Sequence, residues 1–380
     1  MNSVLTQEKL KPCSDLAIRF LTTLSKAILT NSNARLYPDL VTFGFFCRKS
    51  SLIKIKKCYL DDKLRMGWGL ALHIAPSNVP INAAFTFAFG LLSGNNNIVR
   101  LPTKSWPQID LFQQIYNEVS QRDEFKIING ATKFIRTGHD SNELLQLVSC
   151  ADALIVWGGD ATVAHFKAMT KKPRCAELYF PNRTSSCLLD AKQVCDTTEV
   201  DFKQLITNFY NDTYIVDQNA CSSPSKLGWL GDKKTIAEAE SRFFHQLKIL
   251  LLQKSYHLDP VARIDRYIDV LQDTAHAGSP LDLRQFHTDA WLQNGKNATN
   301  GRYGRYNSIH VKSLGEFIAQ VDGDQTLSYY GISALTLKDE IINNGYSIDR
   351  VVPVGQALNI GVIWDGINLL SRLSKILTVN

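Results

Sequence analysis

Residues 69–102 run Gly69-Leu70-Ala71-Leu72-His73-Ile74-Ala75, then Pro76-Ser77-Asn78-Val79-Pro80, a largely apolar segment 81–93, Gly94, and Asn97-Ile98-Val99-Arg100-Leu101-Pro102. The first seven residues have the length of a buried strand. The proline-flanked pentapeptide that follows is a turn, because proline fixes φ and removes a backbone N–H. Segment 81–93 has helical length and composition, Gly94 stands where a helix stops, and 97–101 is a second apolar strand closed by Pro102. Strand, helix and strand within about 35 residues make a βαβ unit, which implies a parallel pair.

The alternation continues outward from this unit. Residues 108–119 read as a helix, 134–136 as a strand, 143–148 as a helix and Ala153-Leu154-Ile155-Val156-Trp157 as a strand, a pattern that predicts a parallel sheet with helices on both faces. Upstream, apolar positions Ala17, Phe20, Leu21, Leu24 and Ile28 recur at three-to-four spacing and predict an amphipathic helix within 5–35. The basic stretch 47–65, with Arg48, Lys49, Lys54, Lys56, Lys57, Lys63 and Arg65, reads as a solvated, strand-bearing surface, with a functional anion patch as the alternative. Beyond residue 190 the texture changes. Helices are expected at 202–210, 236–252 and 261–271, strands at 214–216 and 308–311, a polar loop at 295–306, and a last helix after Trp364-Asp365-Gly366. The expected organisation is a nucleotide-binding domain over 1–185, a catalytic domain over 186–349, and a C-terminal segment 350–380 packing back on them.

Composition bounds the function class. The 380 residues carry 42 Lys+Arg against 36 Asp+Glu, a net charge of +6, with 44% hydrophobic and 10% aromatic residues. That excludes intrinsic disorder, gives no case for nucleic acid, and mildly favours anionic small ligands. The longest apolar run is about a dozen residues, short of a membrane span, and the first 21 residues lack a signal-peptide core. Eight cysteines without a CxxC pair or Cys/His metal spacing read as reduced thiols of a cytoplasmic protein, so no metal is expected and the sequons at Asn182, Asn211 and Asn297 are incidental.

Two loops could carry chemistry. Gly158-Gly159-Asp160 follows the strand ending at Trp157 and opens a helix at 161–169, so its backbone N–H groups can meet a phosphate; the alternative is a tight turn capped by Asp160. Asp217-Gln218-Asn219-Ala220-Cys221-Ser222-Ser223-Pro224 places one cysteine among small residues in a loop, either as an approachable nucleophile or as a structural thiol. The other seven cysteines sit in apolar or undistinguished contexts. His73, inside an apolar strand, reads as a core residue, and no Gly-x-Ser-x-Gly elbow is present.

Taken together, the strand with its Pro-Ser-Asn-Val-Pro turn, the Gly turn after Ile155-Val156-Trp157, the Gln218-Asn219-Ala220-Cys221 loop, and the tail Arg350-Val351-Val352-Pro353-Val354-Gly355 with Trp364-Asp365-Gly366 resemble the aldehyde dehydrogenase superfamily. More closely they look like the LuxC-type acyl-CoA reductases, the fatty-acid reductase component of bacterial bioluminescence systems. The resemblance spans roughly residues 65 to 370 and implies an α/β protein of aldehyde dehydrogenase-like architecture: a Rossmann-type nucleotide-binding domain plus an α/β catalytic domain, with Cys221 facing the nicotinamide between them. It implies NADPH, with NADH as the alternative, reducing an acyl-CoA or relayed acyl group to an aldehyde through an acyl-cysteine.

Residue by residue, Cys221 matches the nucleophile and Asn78 the oxyanion-stabilising asparagine. Gly158 and Gly159, with Pro76 and Ser77, match the cofactor-binding turns, and Arg100 and Lys104 are placed to meet the adenosine phosphate. Three positions depart from the superfamily: Leu101 stands for its ribose-contacting lysine, Val163 for the second glycine of its phosphate turn, and its water-activating glutamate has only the displaced Glu177 nearby. The last absence fits a reductase, whose thioester intermediate should not meet activated water. The resemblance also implies an oligomer with a trimmed oligomerisation hairpin, and an acyl-activating or acyl-transferring partner enzyme. A CoA-acylating aldehyde dehydrogenase on short aldehydes, a cysteine thioesterase and a non-catalytic scaffold subunit remain as alternatives.

Overall fold

The computed structural model describes residues 10–59, 64–294 and 301–379. The chain divides into two units, 1–182 with 360–380, and 183–359, so the divisions fall at 182 and 359 where the sequence suggested 185 and 349.

The strands of the first unit are β1 (Arg65–Gly67), β2 (Leu70–Ile74), β3 (Asn96–Leu101), β4 (Thr132–Arg136), β5 (Ala153–Trp157) and β6 (Ala176–Phe180). Five of them form a parallel sheet in the order β4-β3-β2-β5-β6. Alternation along each strand feeds two cores. Leu72, Ile74, Ile98 and Val156 meet Leu144, Val148 and Phe166 on one face, while Ala71, Val99, Leu101 and Ile155 meet Phe85, Phe87 and the N-terminal helix Asp15–Thr30 on the other. The helix Asn82–Leu92 is buried at every position, which explains its near-uniform apolar sequence. It ends as the sequence suggests, with Gly94 at φ +78°, where an added Cβ would stand only 2.4 Å from Leu10 O. A T-shaped aromatic network of Phe20, Phe87, Tyr116 and Phe134 fills the space between this helix and the helix Pro107–Ser120.

The basic stretch corrects one expectation. Among its described residues it carries the helix Lys49–Tyr59 and no strand before β1, because Leu52 and Ile55 recur at helical spacing and bury one side while Lys49, Lys54, Lys56 and Lys57 point outward. Lys63 lies outside the described residues, as do 295–300 of the expected polar loop.

The second unit holds β7 (Ser185–Asp190), β8 (Lys226–Leu230), β9 (Asp282–His287), β10 (Ala290–Asn294), β11 (Arg305–Val311), β12 (Thr326–Tyr330) and β13 (Arg350–Pro353). Their order is β13-β12-β7-β8-β11-β10-β9, parallel except for β9 against β10. One face packs Cys187, Leu227 and Trp229 on Phe209, Phe243 and Phe244. The other packs Leu188, Val311 and Leu327 on Phe317, Leu337 and Ile341. Residues 214–216, expected as a strand, form a 3₁₀ turn that continues the helix Glu199–Thr213 and stops at Asp217, whose φ is +50°. The last segment returns to the first unit through β14 (Ile363–Trp364), β15 (Ile367–Asn368) and β16 (Ser374–Ile376), the last pairing antiparallel with β1. The expected final helix is confined to Leu369–Arg372.

Candidate active site

In the first unit the chain builds β2, β3 and β4 to one side, then returns to lay β5 and β6 on the other side of β2. The neighbouring strands β2 and β5 therefore carry connections that leave in opposite directions, the switch point at whose carboxyl end open α/β sheets bind ligands. Pro76, Ser77 and Asn78 leave the carboxyl end of β2, and Gly158 and Gly159 leave that of β5, so the fold brings both turns to one sheet edge. Ser77 and Asn78 are exposed and Pro76 is half-buried.

Gly159 is the N-cap of the helix Asp160–Ala168, and no side chain caps it. Asp160, read as a cap from sequence, instead accepts Asn182 N–H at 3.1 Å, which leaves the first-turn N–H groups uncapped by any carboxylate. Gly158 has no left-handed φ; a Cβ there would stand 2.9 Å from the Thr162 side chain.

Arg100 and Lys104 part company. Lys104 is exposed, its ammonium 4.2 Å over the Trp106 ring. Arg100 is 3% exposed on the Ile98 face of β3, opposite Leu101. Its Nε donates to Thr137 O at 3.0 Å while Nη2 is buried with no hydrogen-bond partner. Burial lowers its pKa, and its charge, after burial itself, helps hold His139 below the usual imidazole range. An orphaned guanidinium N–H in the interior costs free energy unless a ligand atom meets it, and an anion oxygen is the natural acceptor.

Beneath the turns runs a buried polar chain. Trp157 Nε1 donates to Thr86 Oγ1 (3.1 Å), Thr86 Oγ1 meets His73 Nδ1 (2.7 Å), and His73 Nε2 meets Asn97 Oδ1 (3.1 Å). An amide oxygen only accepts, so Nε2 carries the proton and Nδ1 accepts from Thr86. Burial holds His73 neutral, its pKa pushed down to about 4, so it is the core residue its sequence context suggests. Gly90 makes room for this chain: a Cβ there would stand 2.0 Å from Asn97 Oδ1.

In the second unit, Cys221 lies half-buried in the loop before β8, at the amino edge of the seven-stranded sheet. The loop is tied from several directions. Ser185 Oγ donates to Cys221 O at 2.6 Å, Ser223 Oγ to Asp212 O at 2.7 Å, and Ser223 N to Ala220 O at 2.9 Å. Gln218, at φ +58° and 5% exposed, is the central clamp: Nε2 donates to Pro224 O (2.9 Å) and Arg305 O (3.2 Å), and Oε1 accepts Gly304 N–H (2.8 Å). Asp217 accepts from Tyr256 OH at 2.7 Å.

The other thiols are poorer nucleophile candidates. Cys13, Cys47 and Cys187 are fully buried, and burial raises Cys13 to about 11 and Cys187 to about 12. Burial likewise raises Cys47, Cys175 and Cys195. Cys58 and Cys150 are exposed on helices. Among the described residues, no group of three or more His, Cys, Asp or Glu could hold a metal ion, and no helix is long and apolar enough to cross a membrane.

Glu177 is the second residue of β6 and lies toward its amino end. It pairs with Lys171 Nζ at 3.2 Å and accepts from Tyr179 OH. It lines a cavity of about 490 Å³ with Trp68, Arg174, Leu178, Arg372 and Ser374, at the sheet edge opposite the two turns.

The family model described as acyl-CoA reductase (LuxC) matches residues 55–265, more than half of the chain. The chain belongs to the acyl-CoA reductase family. As a member of it, the protein is an oxidoreductase acting on aldehyde or acyl groups. No curated protein matches it by sequence. Its fold is that of the aldehyde dehydrogenases. A salicylaldehyde dehydrogenase from Pseudomonas putida G7, complexed with salicylaldehyde, superposes with a TM-score of 0.67 at 13% identity, covering 97% of this chain and 85% of that one. An NAD-dependent aldehyde dehydrogenase from Sinorhizobium meliloti gives 0.65 at 12%, covering 90% and 75%. PnpE in complex with nicotinamide adenine dinucleotide gives 0.63 at 11%, covering 88% and 76%.

Sequence reading of the acyl-CoA reductase loop reached Cys221 but assigned no role to the residues that hold it. Gln218 stood in the quoted motif, yet its partners Gly304 and Arg305 lie some 86 positions away. Asp212 was missed altogether. It is 1% exposed, accepts Gly355 N–H at 2.6 Å and Ala357 N–H at 2.9 Å, and so fastens the Pro353-Val354-Gly355 tail to the helix that leads into the cysteine loop.

Proposed function

We propose that the protein reduces an acyl thioester, a fatty acyl-CoA or an acyl group relayed from a partner enzyme, to the aldehyde through an acyl-Cys221 intermediate. The observation that carries the reading is Cys221 itself: a half-buried thiol in a loop clamped by Gln218 and Ser185, in a chain of the acyl-CoA reductase family whose other cysteines are buried or lie on elements without such support.

The Cys221 thiolate attacks the thioester carbonyl, its sulfur–carbon bond forms, and the CoA thiolate leaves with the electrons of the broken bond. Transfer between thioesters is nearly isoenergetic, so the acyl group stays reactive on the protein. The family resemblance gives the part of oxyanion donor to the Asn78 amide and the Cys221 N–H. A reduced nicotinamide dinucleotide, when bound, supplies the hydride that takes the acyl carbon to the aldehyde level. Release of aldehyde returns the Cys221 thiolate. Two features of the first unit fit such a dinucleotide: the helix N-terminus at Gly158-Gly159, which no side chain caps, and the buried, orphaned Nη2 of Arg100. Pro76 and Ser77 flank it at the switch point. PnpE, of the same fold, is seen with nicotinamide adenine dinucleotide. Of the two cations near the end of β3, Arg100 with its unmet Nη2 is the one that favours the 2′-phosphate of NADPH over NADH, since Lys104 lies over the Trp106 ring. Glu177, paired with Lys171 and Tyr179, supports a site without a water-activating base. The proposal extends to a cytoplasmic protein working in company with an acyl-supplying enzyme.

Intact mass after incubation with acyl-CoA tests the reading. The expected result is one acyl adduct, absent in Cys221→Ala, discharged as aldehyde when NADPH is added. No adduct at all would leave a scaffold subunit. Discharge as free acid without nicotinamide oxidation would establish a thioesterase.

A further inference from the structure

Between the carboxyl end of β4 and the helix Asp160–Ala168, two imidazoles meet with little to neutralise them. His139 lies half-buried in the loop that leaves β4, and His165 half-buried on the helix; their ring centroids are 6.3 Å apart, and both rings contact Phe166. The same loop accepts Arg100 Nε at Thr137 O, 3.0 Å away, so the buried guanidinium with its unmet Nη2 belongs to this cluster. His165 Nε2 is also buried without a hydrogen bond, Asp140 Oδ1 lying 3.4 Å off. The charged and titratable groups facing His139 are Arg100 from β3, His165 from the helix and Asp140 from its own loop. Asp140 is the carboxylate among them, and its side chain is 88% exposed.

Such a cluster is unfavourable when empty. A proton added to either imidazole meets the fixed charge of Arg100 and the other ring, and burial together with those charges holds His139 below its ordinary 6.5. An anion reverses this, and the number of groups to be met selects its kind. A carboxylate brings one charge and two oxygens, whereas a phosphate monoester brings up to two charges and three oxygens, enough for Arg100 Nη2 and both rings. We propose that Arg100, His139 and His165 form a phosphate-monoester subsite, and that it takes the 2′-phosphate of the reduced dinucleotide.

The position fits that ligand. His165 stands about 9 Å along the helix axis from Gly159, and helical side chains lean back toward the N-terminus. A pyrophosphate at the Gly158-Gly159 turn therefore puts the next ribose phosphate within reach of the imidazole. The loop leaves room for it, since a Cβ added at Gly138 would meet nothing within 4 Å. This inference rests on the dinucleotide reading of the sheet edge and adds to it two histidines and a pH dependence. A phosphate monoester is largely a dianion above about pH 6. At neutral pH the empty subsite holds His139 uncharged, and a bound dianion favours its protonated form. Binding therefore takes up protons, and by linkage affinity for the phosphorylated ligand falls as pH rises. The preference for NADPH over NADH should shrink about tenfold between about pH 6.5 and 8.5, the factor that one pKa unit carries.

Coenzyme A carries a ribose phosphate of the same chemistry, so the test has two arms. Calorimetric titration of the full chain near neutral pH, in buffers of different ionisation enthalpy, counts the protons taken up with NADPH against NADH and with coenzyme A against dephospho-coenzyme A. The expected result is an uptake approaching about one proton with NADPH, none with NADH, and no difference within the coenzyme A pair. A difference within the coenzyme A pair instead would support the subsite and move its phosphate to the acyl carrier. His139→Gln should abolish the uptake and leave the NADPH-to-NADH affinity ratio flat with pH. Should that variant fold poorly, His165→Gln makes the same test. His276→Gln, at an exposed position on a helix of the other unit, should change neither quantity. NADPH that binds without proton uptake, or an uptake that both variants retain, overturns the subsite and leaves the dinucleotide reading standing. If neither dinucleotide binds, the two fall together.

Discussion

The turn after β2 and the loop around Cys221 carry the two residues proposed for the chemistry, and they are held in opposite ways. The turn is open: Ser77 and Asn78 are exposed, and its shape comes from Pro76, Pro80 and the backbone bonds Asn82 N to Val79 O (3.1 Å) and Ala83 N to Pro80 O (3.2 Å). The cysteine loop is clamped by Ser185, the first residue of β7, which bonds Cys221 O, and by the buried side chain of Gln218, whose partners are Pro224 just before β8 and Gly304 and Arg305 at the start of β11. The difference separates rate from stability. Changing the open turn should alter chemistry more than stability, whereas changing the clamp should unsettle the loop, because a reacting atom is only as well placed as the residues behind it.

The largest effect is expected at the open turn. Asn78→Ala should lower the rate of acyl reduction by about 10²–10³, the usual cost of one oxyanion donor. Thermal midpoint should move less than it does for a residue of the clamp, since the side chain is exposed. A fall in midpoint as large as the clamp's would erase the contrast, for it would make Asn78 a structural residue like Gln218.

This contrast also explains what the sequence could tell. The βαβ unit at 70–101 was legible because its signals are local: a strand-length run, two prolines, a helix-length apolar segment and Gly94 follow one another along the chain. Cys221 stood out as a candidate for the same reason, as one thiol among small residues. The clamp was not, since Gln218 depends on Gly304 and Arg305, and Asp212 on Gly355, contacts that no periodicity announces. Residues 214–216 misled because Tyr-Ile-Val has strand composition, yet the preceding helix simply tightens through them. The helix Pro260–Ala277 was legible from its spacing, but the side that faces inward was not, because Arg266 and not an apolar residue is the anchor.

The second effect is a pH dependence that arises on the open turn's side. His73, on β2 directly before the turn, has its pKa pushed down to about 4 by burial, from an ordinary 6.5. Between those values the unfolded chain binds a proton that the native chain does not, so stability should be complete above about pH 6.5 and fall as pH drops toward 4, by about 3 kcal/mol. Urea unfolding across that window measures it. His73→Gln should flatten the slope while costing some stability at pH 7, through its imperfect fit to Thr86 and Asn97. An unchanged slope would show that the proton uptake belongs elsewhere.

The smallest effect is the one that most directly tests the clamp. Gln218→Ala removes three hydrogen bonds and leaves Gly304 N–H, Pro224 O and Arg305 O to find water in a buried place. Each unsatisfied group costs on the order of 1 kcal/mol or more, and partial solvation should bring the net loss to about 2 kcal/mol. The backbone strain of φ +58° is the same for alanine as for glutamine, so the change isolates the side chain's bonds. The loop should open on a faster timescale than the unit unfolds, and Cys221 should then react with a thiol reagent faster than in the parent chain while its acylation by acyl-CoA slows. Faster labelling with slower acylation is the signature of a thiol that has gained exposure and lost position. If labelling and acylation instead rise together, Gln218 only shields the sulfur, and the clamped loop would differ from the open turn in burial and not in function.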